Sequence, residues 1–170
     1  LHFCSGEIQW PVEGAKKPNG LAMQPETLDL LCPAGTYVLV KRFSSKEQRR
    51  RIEAAIYDSS QVHDGPVGFE NHLNYIHLNG KGLEPDAARG LFVYLNSSLV
   101  DMYFRLFSGH TQVNATDLRN MPFPDIRLLR QLGQRVERLD LSQDEIDALF
   151  DEALIKVNPD MPSKDPVAAI

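Results

Sequence analysis

A chain of 170 residues buries roughly 70% of its unfolded surface, enough for one domain without metal or disulfide staples. Hydrophobic residues at 42% and charged residues at 24% are ordinary for a globular protein; no run of about 18 apolar residues offers a membrane span, and two cysteines, Cys4 and Cys32, form neither a zinc set nor a disulfide framework, which points to a reduced, cytoplasmic setting. The net charge of −5 argues against nucleic acid, but residues 139–170 hold eight acids against Lys156 and Lys164, which is −6, so the rest of the chain is +1 and has room for a basic face.

The opening LHFCSGEIQW has no initiator methionine, basic stretch or apolar leader and reads as a cut within a longer protein. Phe3, Ile8 and Trp10 among polar neighbours predict one short strand over residues 2–10, ended by Pro11. EGAKKPN is a turn-rich loop whose Lys16-Lys17 pair is solvated. Pro25 to Leu31 fits a two-turn helix with its proline in the first turn, stopped near Pro33 and Gly35. Tyr37 to Phe43, YVLVKRF, is rich in β-branched and aromatic residues and predicts a strand. Ser44-Ser45-Lys46-Glu47 then resembles a capping box and KEQRRRIEAAI has helical propensities, so residues 44–57 read as a helix on propensity alone. Lys41, Arg42, Lys46, Arg49, Arg50 and Arg51 fall within eleven positions, opposed by Glu47, the densest positive charge in the chain. They either contact phosphates or form a solvated edge that discourages strand aggregation. Ser59 to Gly68 is a loop. FENHLNYIHL predicts a strand with Asn71, Leu73, Tyr75 and His77 on one face and Glu70, His72, Asn74, Ile76 and Leu78 on the other. Amides and imidazoles there either read base edges, asparagine favouring adenine, or decorate an ordinary edge strand.

Asn79-Gly80-Lys81-Gly82 is a turn, and Pro85-Asp86 opens a helix to Leu95. Asn96-Ser97-Ser98 breaks it and caps a second helix, Leu99 to Phe107; Leu91, Leu95, Leu99, Met102, Tyr103 and Leu106 recur at threes and fours, the period of a buried face. Gly109 is expected to end that helix in the left-handed conformation. His110, Thr111, Gln112 and Asn114 put four hydrogen-bonding side chains in five positions. Asn114 with Asp117 caps a short helix that Pro122 and Pro124 stop at about Asn120. The product is a polar loop between two helix ends, either a phosphate- or base-contacting element or a well-capped corner facing water. Ile126 to Leu132 is a helix ended at Gly133. Ser142 with Glu145 is a capping box opening an acidic helix whose Ile146, Leu149, Phe150, Ala153 and Leu154 share one stripe. The expected organisation is a body over residues 1–138, an acidic helix packed on it over 139–157 and a flexible tail over 158–170. There is no internal repeat.

Three ordered blocks carry a resemblance. LFVYLNSSLVDMYFRLFSGHTQVNATDLRNMPFP resembles the C-terminal specificity region of adenine-specific DNA methyltransferases of restriction–modification systems, the TaqI-like target-recognition domain. YVLVKRFSSKEQRRRIEAAIYD and ENHLNYIHLNG resemble earlier blocks of the same region, and type I specificity subunits have a similar Leu-Asn-Ser helix, glycine loop and proline pair. The similarity covers roughly residues 8 to 135. With the pattern above it implies an α+β fold, a small, mostly antiparallel sheet from the N-terminal half packed by helices from the C-terminal half. It also implies that Arg49 to Asp58 is a strand returning beside YVLVKRF, with the helix as the alternative.

Methyl transfer to adenine needs a donor pocket and a proline–aromatic motif that grips the flipped base. Neither motif is in this sequence; the resemblance places both, with S-adenosylmethionine, in an N-terminal catalytic domain of the parent chain. Asp64 with Glu70-Asn71-His72 lacks the lysine of a nuclease site. His72 and His77 fall on opposite strand faces and share no metal, and Ser108 and His110 lack an orienting acid. The expected role is therefore docking on double-stranded DNA, with no catalytic or metal-binding residue and no cofactor in this chain. Lys41, Arg42, Lys46, Arg49, Arg50 and Arg51 are expected to hold phosphates. His110, Thr111, Gln112 and Asn114, then Asn71, His72 and Asn74, are the candidates for base or groove contacts. The alternative is a protein-docking module acting through the acidic helix.

Overall fold

The computed structural model describes residues 2–4, 6–14, 16, 20–62 and 65–157. The N-terminal stretch is two strands rather than one: β1 (His2–Cys4) and β2 (Glu7–Gln9) pair antiparallel around Gly6, whose φ of +80° makes the turn. The Ile56 amide donates to the Gly6 carbonyl at 3.2 Å and ties this hairpin to the main sheet. Pro25–Leu30 is a 3-10 helix with no buried residue, tighter than the expected α-helix. Lys17, Asn19, Asp64 and the tail over 158–170 lie outside the described residues.

The main sheet is antiparallel, in the order β4 (Ala54–Asp58), β3 (Thr36–Lys41), β5 (Leu73–Ile76). Thr36 faces Asp58 and Val40 faces Ala54 on one side; Val38 faces Ile76 and Lys41 faces Leu73 on the other. As the central strand, β3 is buried on both faces. Val38 and Val40 join the main core under the helices, while Tyr37 and Leu39 join Tyr57 in a smaller cluster on the opposite face. That is why YVLV reads as an unbroken apolar run. A single helical turn, α1 (Ser59–Val62), follows β4 inside the expected loop.

The propensity for a helix over residues 44–57 is overruled, and the strand implied by the family begins only at Ala54. The amides of Arg51 and Ile52 donate to the Asp101 carboxylate at 2.5 and 3.3 Å, while Arg105 takes the carbonyls of Lys46, Gln48 and Arg49. Backbone groups that a helix would use on itself are thus engaged by the second helix of the C-terminal half.

That half contains α2 (Pro85–Leu95), α3 (Ser98–Phe107), α4 (Ala115–Arg119), α5 (Ile126–Gly133) and α6 (Gln143–Val157). Ser97 caps α3 by accepting from the Val100 amide at 3.3 Å. α2 and α5 approach so closely that a Cβ on Gly90 would sit 1.9 Å from the Leu129 carbonyl oxygen, and one on Gly133 1.7 Å from that of Asp86. Only glycine permits that crossing. α6 opens on the Ser142–Glu145 capping box and buries Ile146, Phe150 and Ala153 in the main core. Sheet and helices together give the α+β arrangement expected from the sequence.

Gly109 is not left-handed. α3 ends at Ser108 in extended backbone, φ −95° and ψ 102°, because the chain leaves the helix to run alongside the end of β3.

Candidate nucleic-acid interface

Beyond Lys41, β3 continues as a short strip, Arg42-Phe43-Ser44, with chain on both sides. The Val113 amide donates to the Arg42 carbonyl at 2.7 Å and the Ser44 amide to the Thr111 carbonyl at 3.1 Å, so the polar loop runs antiparallel to the strip with Gln112 opposite Phe43. From the other side the Arg42 amide donates to the His72 carbonyl at 2.9 Å, and Asn74 Nδ2 to the Val113 carbonyl at 2.8 Å. Two stretches far apart in sequence, 71–74 and 110–114, therefore meet at one end of the sheet.

Within that surface His110, Thr111, Asn71 and His72 are exposed, while Gln112, Asn114 and Asn74 are half-buried. His72 Nδ1 contacts Glu70 Oε2 at 2.8 Å, which leaves Nε2 for an outside partner. Asn74 gives one of its two amide N–H donors to the loop. The Asn114 amide donates to the Asp117 carboxylate at 3.3 Å. With a carboxylate at its start and five residues of length, α4 offers no anion site, so the expectation of a phosphate there is dropped. Phe43 escaped the sequence reading. The residue is 49% exposed and its ring lies 5.2 Å from the His72 ring, centroid to centroid.

The six cations divide. Arg51 is 1% exposed: Nε donates to Ser44 Oγ at 3.0 Å, Nη1 to the Ser108 carbonyl at 3.4 Å and Nη2 to the His110 carbonyl, with Phe104 packed against the guanidinium. It holds the polar loop in place and cannot reach a phosphate. Arg50 is also withdrawn from that role. It donates to Gln143 Oε1 and to the Ser97 carbonyl, and burial lowers its pKa against the pull of Asp101, Asp147 and Glu53. Lys41 pairs with Glu53. Arg42 rests on the Asn71 carbonyl at 3.2 Å, whereas the side chains of Lys46 and Arg49 are exposed and make no hydrogen bond or ion pair among the described residues. Glu47 lies between them, its carboxyl held below the usual range first by a Ser45 hydrogen bond. Asp101 and Arg105, neither foreseen, clamp this loop: Arg105 Nε donates to Asp101 Oδ2 at 2.7 Å while both side chains hold loop backbone.

On the opposite face of the sheet Tyr75 and His77 stack at 5.5 Å, and a Cys32 hydrogen bond, more than burial, raises the Tyr75 phenol. Among the described residues there is no group of three or more His, Cys, Asp or Glu placed to hold a metal, and no helix long and apolar enough to cross a membrane.

The chain is 45% identical over 154 residues to the type II methyltransferase M.PstI of Providencia stuartii, and 47% identical over 156 residues to the type II methyltransferase M.BsuBI of Bacillus subtilis. Each match takes in 91% of this chain but only 30% and 31% of those proteins, so the chain spans less than a third of the length of the relatives it matches. No protein-family model and no solved structure matches it.

Proposed function

We propose that this chain is the target-recognition part of an adenine-specific DNA methyltransferase of a restriction–modification system, with residues 1–138 as the recognition body and 139–157 as a helix packed on it. The carrying observation is the convergence of 71–74 and 110–114 on the Arg42–Ser44 strip beside Lys46 and Arg49. Similarity to a segment of two type II methyltransferases supports it. Arg42, Lys46 and Arg49 hold phosphates, while His110, Thr111, Gln112, Asn71 and His72 face the groove, with Asn74 and Asn114 supporting the loop from within. The partners are duplex DNA and a catalytic domain outside this chain, in the cytoplasm.

S-adenosylmethionine belongs to that other domain. The cavity of about 150 Å³ lined by Gly6, Arg50, Glu53, Phe92 and Asn96 is smaller than the roughly 300 Å³ at which small-molecule pockets begin and does not itself supply a site for it. The docking alternative through the apolar stripe of α6 is disfavoured, since Ile146, Phe150 and Ala153 already lie in the chain's own core.

Fluorescence anisotropy with a labelled duplex tests the reading. Affinity should be weak and fall as salt rises from about 50 to 200 mM, and labelled methyl donor should leave no label on the DNA. Absent or salt-insensitive binding overturns the DNA role; methyl transfer by this chain alone overturns its confinement to recognition.

A further inference from the structure

We propose that Phe43, backed by His72, is an aromatic wedge that enters the base stack of the bound DNA. The inference rests on the DNA-recognition reading and adds the chemistry by which this surface engages a base.

Four observations carry it. The ring belongs to neither hydrophobic core, and half of it stands in water at the centre of a surface otherwise made of amides, hydroxyls and cations. The exposed half of Phe43 gains nothing from folding and is open to a partner. Its mount is rigid: backbone hydrogen bonds at Arg42 and Ser44 fix the strip to the polar loop on one side, and the Arg42 amide fixes it to His72 on the other. The backbone that carries the ring is therefore held on both sides. His72 meets the ring at 57°, a tilted contact that backs it. Arg42, beside it, rests on an outward carbonyl and is placed to neutralise a phosphate flanking an opened step. Proteins that wedge apolar side chains between base steps also bring arginine and lysine to the same DNA, and this surface has both kinds of group.

Inserting the ring costs unstacking, which is least where a base is already missing or mispaired. The test uses the chain with three fluorescein-labelled duplexes that differ only in carrying no lesion, one abasic site or one mismatch. The natural chain should bind the lesioned duplexes roughly tenfold tighter, within the range of base–aromatic stacking. Phe43→Ala should bind all three alike with an unchanged salt slope, and Phe43→Trp should keep the preference. If Phe43→Ala does not fold, Phe43→Gln, of similar length but polar and without a ring, should lose the preference. Salt-sensitive binding that ignores the lesion, or a preference that survives in Phe43→Ala or Phe43→Gln, overturns the wedge and leaves the DNA role standing. No salt-sensitive binding to any duplex overturns both.

Discussion

Asn96 pairs both ways with the backbone of Ala54: the Ala54 amide donates to Asn96 Oδ1 at 3.1 Å, and Asn96 Nδ2 donates to the Ala54 carbonyl at 3.0 Å. The same Nδ2 donates to the Phe92 carbonyl at 3.0 Å, so one buried side chain closes the end of α2 and stands in for a neighbouring strand at the first residue of β4. Asn96→Ala strands the Ala54 amide and carbonyl, while the Phe92 carbonyl keeps the residue-96 backbone amide, and should cost about 3 kcal/mol, at 1–3 kcal/mol for each unsatisfied group, or a melting point roughly 6–12 °C lower in a chain of this size. Asn96→Asp should lose at least as much, because a carboxylate would face two carbonyls. A thermal melt of either variant within about 0.5 kcal/mol of the natural chain would show that Asn96 does not hold the sheet to the helices.

Arg51 should behave as a structural residue. Arg51→Ala leaves the Ser108 and His110 carbonyls without their donor and a void beside Phe104. The expected loss is about 3 kcal/mol or more, with amide exchange accelerated across 108–113 before the rest of the chain. Arg51→Lys should recover part of it, since an ammonium reaches one or two of the three acceptors. Unchanged exchange in that loop would sink the positioning role.

Lys46 and Arg49 make the opposite forecast. Their exposed side chains make no hydrogen bond or ion pair among the described residues, so Lys46→Ala and Arg49→Ala should leave stability within about 0.5 kcal/mol of the natural chain. Each should lower the slope of log affinity against log salt by about one. A slope unchanged in both would remove this loop from the phosphate contacts.

How legible these roles were follows from the range of the interactions that set them. YVLVKRF, the Ser97 cap and the Ser142–Glu145 box depend on neighbours within a few positions, and the structure bears them out. The fate of 44–53 depends on Asp101 and Arg105, some fifty residues away, and nothing in KEQRRRIEAAI announces them. Arg51 looked like its neighbours because burial of a guanidinium is decided by the carbonyls of a distant loop, not by local pattern. Gly109 followed the helix-ending rule on paper, but pairing of Thr111 and Val113 with the β3 strip drew the chain out in extended form. For the candidate site, sequence supplied the polar residues and the fold supplied their meeting point, including Phe43.

Gln112 separates reading from scaffolding. Its backbone lies opposite Phe43, but its side-chain amide makes no hydrogen bond among the described residues, so Gln112→Ala should shift stability by less than about 0.5 kcal/mol. Asn74 and Asn114 are poorer probes, since one holds the Val113 carbonyl and the other caps α4, and their loss would disturb the loop whatever it reads. The informative setting is a chimaera in which this chain replaces the matched 154 residues of the Providencia protein, with its preferred duplex found by sequencing methylated sites. If Gln112 meets a base edge, Gln112→Ala should cost about 1–3 kcal/mol on that duplex and much less on a scrambled one. The preferred base at a single position should relax while the rest of the site stands. A capped corner facing water predicts no change on either duplex. Equal losses on both, with an unchanged melting curve, would leave Gln112 as a contact to the DNA backbone and pass sequence reading to His110, Thr111 and the 71–72 pair on the other side of the Arg42–Ser44 strip.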